Sequence, residues 1–550
     1  MRLIRRGSWV LAPFVAVALV AAACGGSSNK NANKQTATTS NSPTSNAAKA
    51  TGQLSPGVPT DYDPNGQLTF AYTTPGNSLD PHLGPGGAEQ TYMFPIYDRL
   101  TSIDDNFQVQ PMLATSWSFA PDGSYLEMKL RTDVDFHDGT HFDANAVKAN
   151  IERAKGPKAV TAVLLRAVNS VQVVDQYTVR LLLSGGGAEL PSILATPPGM
   201  MLSPKAIADP TRDLANNPGD AGSGPYKVVQ FVPGVKTVYV QAQPPGTHWD
   251  KGAGLLKGFT WEWIGVSAQR INGIKAGDLD MASITGADVP AARAAVDNST
   301  ILSRDVQQSV TSLVLMMRST NPPLNNVKLR QAIEYAIDKN AIATGLYSGA
   351  CAPATQFYPS DHWAYSQIAA SRYTYDQAMA RQLVTESGVN PSFTASYLSQ
   401  YQQPAEAMQA QLKAVGINMT LKPIPSAQIF STFRDNQLDA LVTAINGTGD
   451  PSYVLNNSYL GGIPHLVADG TEKTSLQQQV SQASNPLLSQ ADRAKLYNTI
   501  FGQLADDALV VHVCFGHHLT LYRSNVGGVA HLLYPKNGLI DSRYLYAKKK

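Results

Sequence analysis

Along most of the chain, short runs in which apolar and polar residues alternate are interleaved with segments whose apolar residues recur at three- and four-residue spacing. That pattern predicts strands alternating with helices. Leu68-Thr69-Phe70-Ala71-Tyr72 reads as a strand, and Tyr125-Leu126-Glu127-Met128-Lys129-Leu130 as another after the turn Pro121-Asp122-Gly123. Residues 171–174 and 178–183 flank Asp175-Gln176 and predict a hairpin, with further strands over 235–242 and 259–266. Helical spacing covers 143–154, 375–387, 405–415 and 489–504. Behind Asn325 or Asn326 as N-cap, Leu329, Ile333, Ala336 and Ile337 share one helical face, while Pro322-Pro323 stops the strand before it. Gly388 and Gly416 stand where two of the helices should end in a left-handed residue. The sum is an α/β protein of several lobes.

The first 65 residues break this pattern. Arg2, Arg5 and Arg6 precede an uncharged run over 7–23 that closes on Ala21-Ala22-Ala23-Cys24. This is the anatomy of a signal peptide, and the run falls short of the roughly 18 residues a membrane span needs. Residues 25–59 are mostly Gly, Ser, Asn, Thr, Ala and Pro with three lysines as the only charges and almost no large apolar residue, too polar to offset their ordering entropy. A flexible tether is expected over 25–65. The small residues before Cys24 resemble the bacterial lipobox. That resemblance implies a diacylated Cys24 as the mature N-terminus and an exported protein on the outer face of the cytoplasmic membrane, in the periplasmic space, touching the membrane through the lipid alone.

The remaining roughly 480 residues are too many for one core. Charged residues make up 15% of the chain and its net charge is +2, which argues against a nucleic-acid or anionic-membrane binder. Besides Cys24 there are Cys351 and Cys514. They could pair in an oxidising compartment, or Cys514 could be a buried strand residue within Val511-His512-Val513-Cys514-Phe515; the second is expected.

Candidate chemistry thins out on inspection. Gly139 breaks any helix that would align His137 with His141, and Asp138-Gly139 reads as a turn. His517 and His518 would point to opposite faces of a strand. In Gly222-Ser223-Gly224 a proline follows at once, where a nucleophile elbow needs a helix. No metal, cofactor or catalytic constellation is expected, so the chain is not expected to be an enzyme.

Specific motifs lie on this framework. Leu130-Arg131-Thr132-Asp133-Val134-Asp135-Phe136-His137-Asp138-Gly139-Thr140-His141-Phe142 is the longest. Tyr97-Asp98-Arg99-Leu100-Thr101 and Leu113-Ala114-Thr115-Ser116-Trp117 precede it; Gly222-Ser223-Gly224-Pro225-Tyr226, Ala276-Gly277-Asp278-Leu279-Asp280 and Asn321-Pro322-Pro323-Leu324 follow. Gln411-Leu412-Lys413-Ala414-Val415-Gly416-Ile417 and Gly449-Asp450-Pro451 come last. In this order they resemble the dipeptide/oligopeptide-type extracellular solute-binding proteins, family 5, of ATP-binding cassette importers.

The resemblance implies a two-lobed periplasmic-binding-protein fold, type II-like, with an inserted subdomain in lobe one and two hinge strands. Lobe one would comprise 66–105, 202–308 and 508–550, the inserted subdomain 106–201, and lobe two 309–507. Residues 313–317 and 509–513, both continuous apolar runs, would be the hinges. It also implies capture of a small ligand, a peptide or another polar solute, by lobe closure. Delivery would be to membrane permease and ATPase subunits, with the chain acting as a monomer. A non-transport envelope role on the same fold is the alternative.

Ligand contacts would then come from Gly87 and Glu89 in one lobe and Asn446, Gly447 and Asp450 in the other. Alignment on Asp450-Pro451 puts Gly447 where peptide-binding relatives carry the aspartate that holds the peptide's ammonium. Either Asp450 or Glu89 must replace it, or the ligand is not an ordinary peptide. Arg318 stands where relatives carry asparagine and is a candidate for holding a carboxylate or phosphate. Trp363 and Tyr365 are candidates for stacking on a sugar or aromatic group.

Overall fold

The computed structural model describes residues 56–549 except 85, 86, 105, 106, 308, 426, 427, 429–431, 433–437, 461–465, 467–470 and 534. The expected signal segment, Cys24 and the expected tether as far as residue 55 lie outside the described residues. Within the stretch expected as tether, Asp63 N–H donates to Ala547 O and Lys549 N–H to Asp61 O, both at 2.7 Å, so the chain joins the body by residue 61.

The chain begins its first sheet with β1 (Gln67–Tyr72) and then leaves it for a separate four-stranded sheet. That sheet is built from β2 (Ala114–Phe119), β3 (Tyr125–Leu130), β4 (Val168–Asp175) and β5 (Thr178–Leu183) in the order β2-β3-β5-β4. α1 (Ala144–Ala154) packs on it, started by Asp143, whose carboxylate accepts from the Asn145 and Ala146 N–H groups. Leu126, Met128, Val147, Ile151, Val179 and Leu181 share this unit's own core.

The chain then returns to the first sheet with β6 (Tyr226–Val232), β7 (Lys236–Gln241), β8 (Gly258–Trp263), β9 (Met281–Thr285) and β10 (Ile301–Val306). β1 lies parallel between β8 and β9. Its alternation sends Phe70 and Tyr72 into an aromatic layer, with Phe70 5.1 Å from Trp261 and Phe259 stacked 4.5 Å from Tyr239.

The second sheet holds β11 (Thr311–Met317), β12 (Cys351–Pro353), β13 (Ser392–Tyr397), β14 (Asn418–Pro423), β15 (Ala440–Asn446) and β16 (Val510–Gly516), in the order β12-β16-β11-β15-β13-β14. β11 is buried throughout. With period two it sends Leu313, Leu315 and Met317 into one core and Val314 and Met316 into another. The first core is closed by α2 (Val327–Ala336), α3 (Gln377–Ser387) and α4 (Gln402–Ala414). The second is closed by α5 (Thr471–Ala483) and α6 (Gln490–Asp507). The caps are local: Asn326 accepts from Leu329 N–H, Ser489 from Asp492 N–H, and Gly388 is left-handed at φ 66°.

β17 (His518–Arg523) carries the chain back into the first sheet, whose order is β10-β17-β9-β1-β8-β7-β6. The two strands expected as hinges, β11 and β16, are antiparallel neighbours inside the second sheet. The passages between sheets adjoin these strands, through Ser309 and Val310 on one side and His517 on the other. The return to lobe one therefore comes later than the expected residue 508, because the apolar run through Phe515 pairs with β11 rather than with the first sheet.

One expectation is corrected outright: Cys351 and Cys514 form a disulfide between β12 and β16, with Cα atoms 5.6 Å apart. Cys514 is also fully buried, so burial and pairing did not exclude one another. A buried ionic cluster closes the C-terminal return. Arg543 lies 3.1 Å from both Asp98 and Asp541, and Arg99 lies 2.8 Å from Asp541. His248 and Arg543 hold the Asp98 carboxyl well below its ordinary range against the opposing effect of burial.

Candidate functional site

Between the two sheets lies a cavity of about 310 Å³. Phe107, Val109, Ala188, Ser192 and Lys536 line it from the side of the first sheet and the four-stranded unit. Val310, His362, Trp363, Gly449, Asp450 and Arg493 line it from the second.

The second-lobe wall is braced from within. Asp450 caps a short helix (Pro451–Val454), its Oδ1 accepting from the Ser452 N–H and hydroxyl at 3.1 and 2.9 Å. Its Oδ2 accepts from Arg493 Nη2 at 2.7 Å. Arg493, in the first turn of α6, donates through Nε to Ala483 O at 2.7 Å, and its guanidinium sits 5.3 Å from the Trp363 ring centre. Trp363 in turn donates to Gly449 O at 2.7 Å. His362 stacks on Tyr358 with centroids 4.0 Å apart. Its Nδ1 accepts from Ala364 N–H, which assigns the ring proton to Nε2. Burial, with a contribution from Lys536, lowers its pKa to about 4 against the pull of Asp450. The imidazole is neutral at pH 7.

The facing wall reaches across the gap. Ala188 N–H donates to Ser484 O at 2.9 Å. The next residue, Glu189, is buried, and its Oε2 has no hydrogen-bond partner. Burial and then the Asp450 charge push its carboxyl up to about 7, opposed by Arg493. Phe107 packs against both lobes' cores and lies edge-on to His362 at 6.1 Å. Lys536 holds its ammonium 5.8 Å from the Phe107 ring centre, anchored by its carbonyl, which accepts from Val310 N–H.

A cavity walled by both lobes at a double crossover is a place to enclose a solute. Residues 108–463, more than half of the chain, match the profile of bacterial extracellular solute-binding proteins, family 5, middle region. The chain belongs to that family. The glutathione-binding protein GsiB of Pectobacterium atrosepticum is 29% identical over 359 residues, covering 64% of this chain and 68% of GsiB. The Helicobacter pylori periplasmic binding protein DppA, solved with the peptide STSA, superposes with a TM-score of 0.76 at 21% identity, covering 89% of this chain and 99% of DppA. AgaA from A. tumefaciens R10, solved with agropinic acid, gives 0.76 at 22%, covering 88% and 99%.

In this family 5 solute-binding protein, two of the candidates named from the sequence, Trp363 and Asp450, line the cavity. Gly447 adjoins it, donating its N–H to Val310 O at 2.8 Å, with Asn446 paired to Thr311 just before. Tyr365 is half-buried outside the lining, with its N–H on His362 O. Gly87 accepts through its carbonyl from Gln90, and Glu89 from Asn77 at 2.9 Å, both away from the cavity wall. Arg318 lies beyond the far end of β11, about 25 Å along the strand from Val310. Burial lowers its pKa against the pull of Asp439.

The histidine pair of the longest motif serves the fold. His137 donates to Gly224 O at 2.7 Å, and His141 pairs with Asp135 at 2.6 Å around the left-handed Gly139. Phe107, Glu189, Arg493 and Lys536 were not singled out from the sequence. Arg493 meets Asp450 across 43 residues, and Lys536 enters the wall from the C-terminal return, so no local spacing marks either. His362 lay inside the loop that carried Trp363.

Proposed function

We propose that this chain is the ligand-capturing receptor of an ATP-binding cassette importer, taking up short peptides or related small nutrients by lobe closure and catalysing no reaction. The observation that carries the reading is the cavity of about 310 Å³ walled by both lobes. Contacts made from two lobes exist together only when they are closed, so a ligand shifts the population toward closure. Relatives described as binding glutathione or a peptide support the substrate class. In this reading lobe one, the inserted unit and lobe two move as bodies about the links at Ser309 and His517. Cys24 carries the lipid that keeps a monomeric receptor beside its permease and ATPase.

Native mass spectrometry of protein purified from its host, followed by small-angle scattering with and without the released compound, tests the capture. A co-purified small molecule with ligand-linked compaction is expected, and a chain whose dimensions ignore every ligand overturns the reading. Membrane fractionation of Cys24→Ala, expected to release the protein, tests the anchor.

A further inference from the structure

The polar groups of the cavity are unbalanced once their internal partners are counted. Asp450 has both carboxylate oxygens engaged, by Ser452 and by Arg493. Gly447 cannot be supplemented by a carboxylate without disturbance, since a Cβ there would lie 3.1 Å from both Val310 Cβ and the Val310 carbonyl oxygen. The one other carboxylate in the lining, Asp361, is exposed to solvent, where a charge contact is screened. Glu189 is not among the lining residues, and burial pushes its carboxyl up to about 7, which weakens it as a partner for an ammonium.

The donors are differently placed. Among the described residues, Lys536 has no ion pair or side-chain hydrogen bond, only its position over Phe107. Arg493 engages Nε and Nη2 with Ala483, Asp450 and Tyr497, leaving Nη1 without a partner among the described residues. His362 Nε2, which carries the ring proton, is buried and unpartnered. A buried donor left without a partner is costly, so a ligand acceptor here is favoured.

We propose that the cavity recognises its ligand by an anionic group, a carboxylate received by Lys536, His362 Nε2 and Arg493 Nη1, and does not require the ligand's ammonium. This rests on the reading of the cavity as the ligand site. The ligand class is then small carboxylates in general, with N-blocked peptides and amine-free acids accepted beside ordinary peptides.

The test presents the full chain with three random pools of di- to pentapeptides in native mass spectrometry: free, N-acetylated and C-terminally amidated. Free and acetylated pools should be retained alike, and amidation should lower retention about tenfold or more, as loss of a charge-assisted hydrogen bond does. Lys536→Met should lower retention of the free pool and leave the amidated pool unchanged, and Lys536→Arg should restore it. A thermal midpoint matching the parent's certifies folding of each variant.

Loss of binding on acetylation, or a Lys536→Met variant indistinguishable from the parent, overturns the inference. Equal retention of all three pools sinks the inference alone. Retention of none, with no compaction in scattering, sinks the peptide reading together with it.

Discussion

Ala188 N–H and Ser484 O meet at 2.9 Å, joining the inserted unit to the second lobe beside the cavity. The bond places Glu189 in the same contact, opposite Asp450 and Arg493. In the proposed closure, a carboxyl that meets water when the lobes part is buried when they meet.

Ligand affinity should therefore depend on pH through Glu189. Its pKa is about 7 in the contact against an ordinary 4.5, so closure takes up a proton. Closure is favoured fully below about 4.5, weakens by up to roughly tenfold per unit as pH rises toward about 7, and is level above that. Calorimetric titration of a bound ligand from pH 4.5 to 8 checks the slope. Glu189→Gln should flatten it, and an unchanged slope in that variant refutes the assignment.

Gly447→Asp adds a carboxylate beside the cavity, yet should harm this protein. The new Cβ would press on Val310 and lie 3.4 Å from the Tyr358 ring. A loss of about 1–3 kcal/mol is expected from overpacking alone. Urea unfolding measures it, and Gly447→Ala should lose less because it buries no carboxylate.

The disulfide closes a sequence separation of 163 residues. Replacing both Cys351 and Cys514 by serine should cost about 2–5 kcal/mol. Thermal melts with and without reductant check this: reductant should lower the midpoint of the parent and leave the double variant where it is.

Arg543→Met takes the shared guanidinium from Asp98 and Asp541 in a fully buried site, leaving Asp541 with Arg99 and Asp98 with His248. Breaking a buried ion network from one side costs about 3–5 kcal/mol. Chemical denaturation should show that loss, with the second lobe's ligand wall untouched.

What was legible in the sequence follows the range of the forces involved. Asn326, Ser489 and Gly388 act within three or four residues, and their helix boundaries were readable from spacing. The two-lobed architecture was legible because many short motifs in fixed order resemble one family. Of the cavity wall, Trp363 and Asp450 were legible and the rest was not: Arg493 meets Asp450 across 43 residues inside the second lobe, and Lys536 finds Phe107 and Ala188 finds Ser484 only after the chain has crossed between sheets. The return to lobe one was expected from residue 508 because a continuous apolar run suits either sheet, and only the pairing of that run with β11 through Phe515 decides. The disulfide was passed over because a cysteine in an apolar strand looks complete without a partner.

The two passages between the sheets are laced to each other: Ser309 Oγ donates to Gly516 O, and His518 Nε2 lies 3.0 Å from Thr311 Oγ1. Cross-linked strands side by side resist both shear and independent twisting. In the proposed closure, that leaves the lobes one soft mechanical coordinate, a swing about the line the pair defines. A subunit docking on the outer face of such a receptor would meet two shapes rather than a continuum.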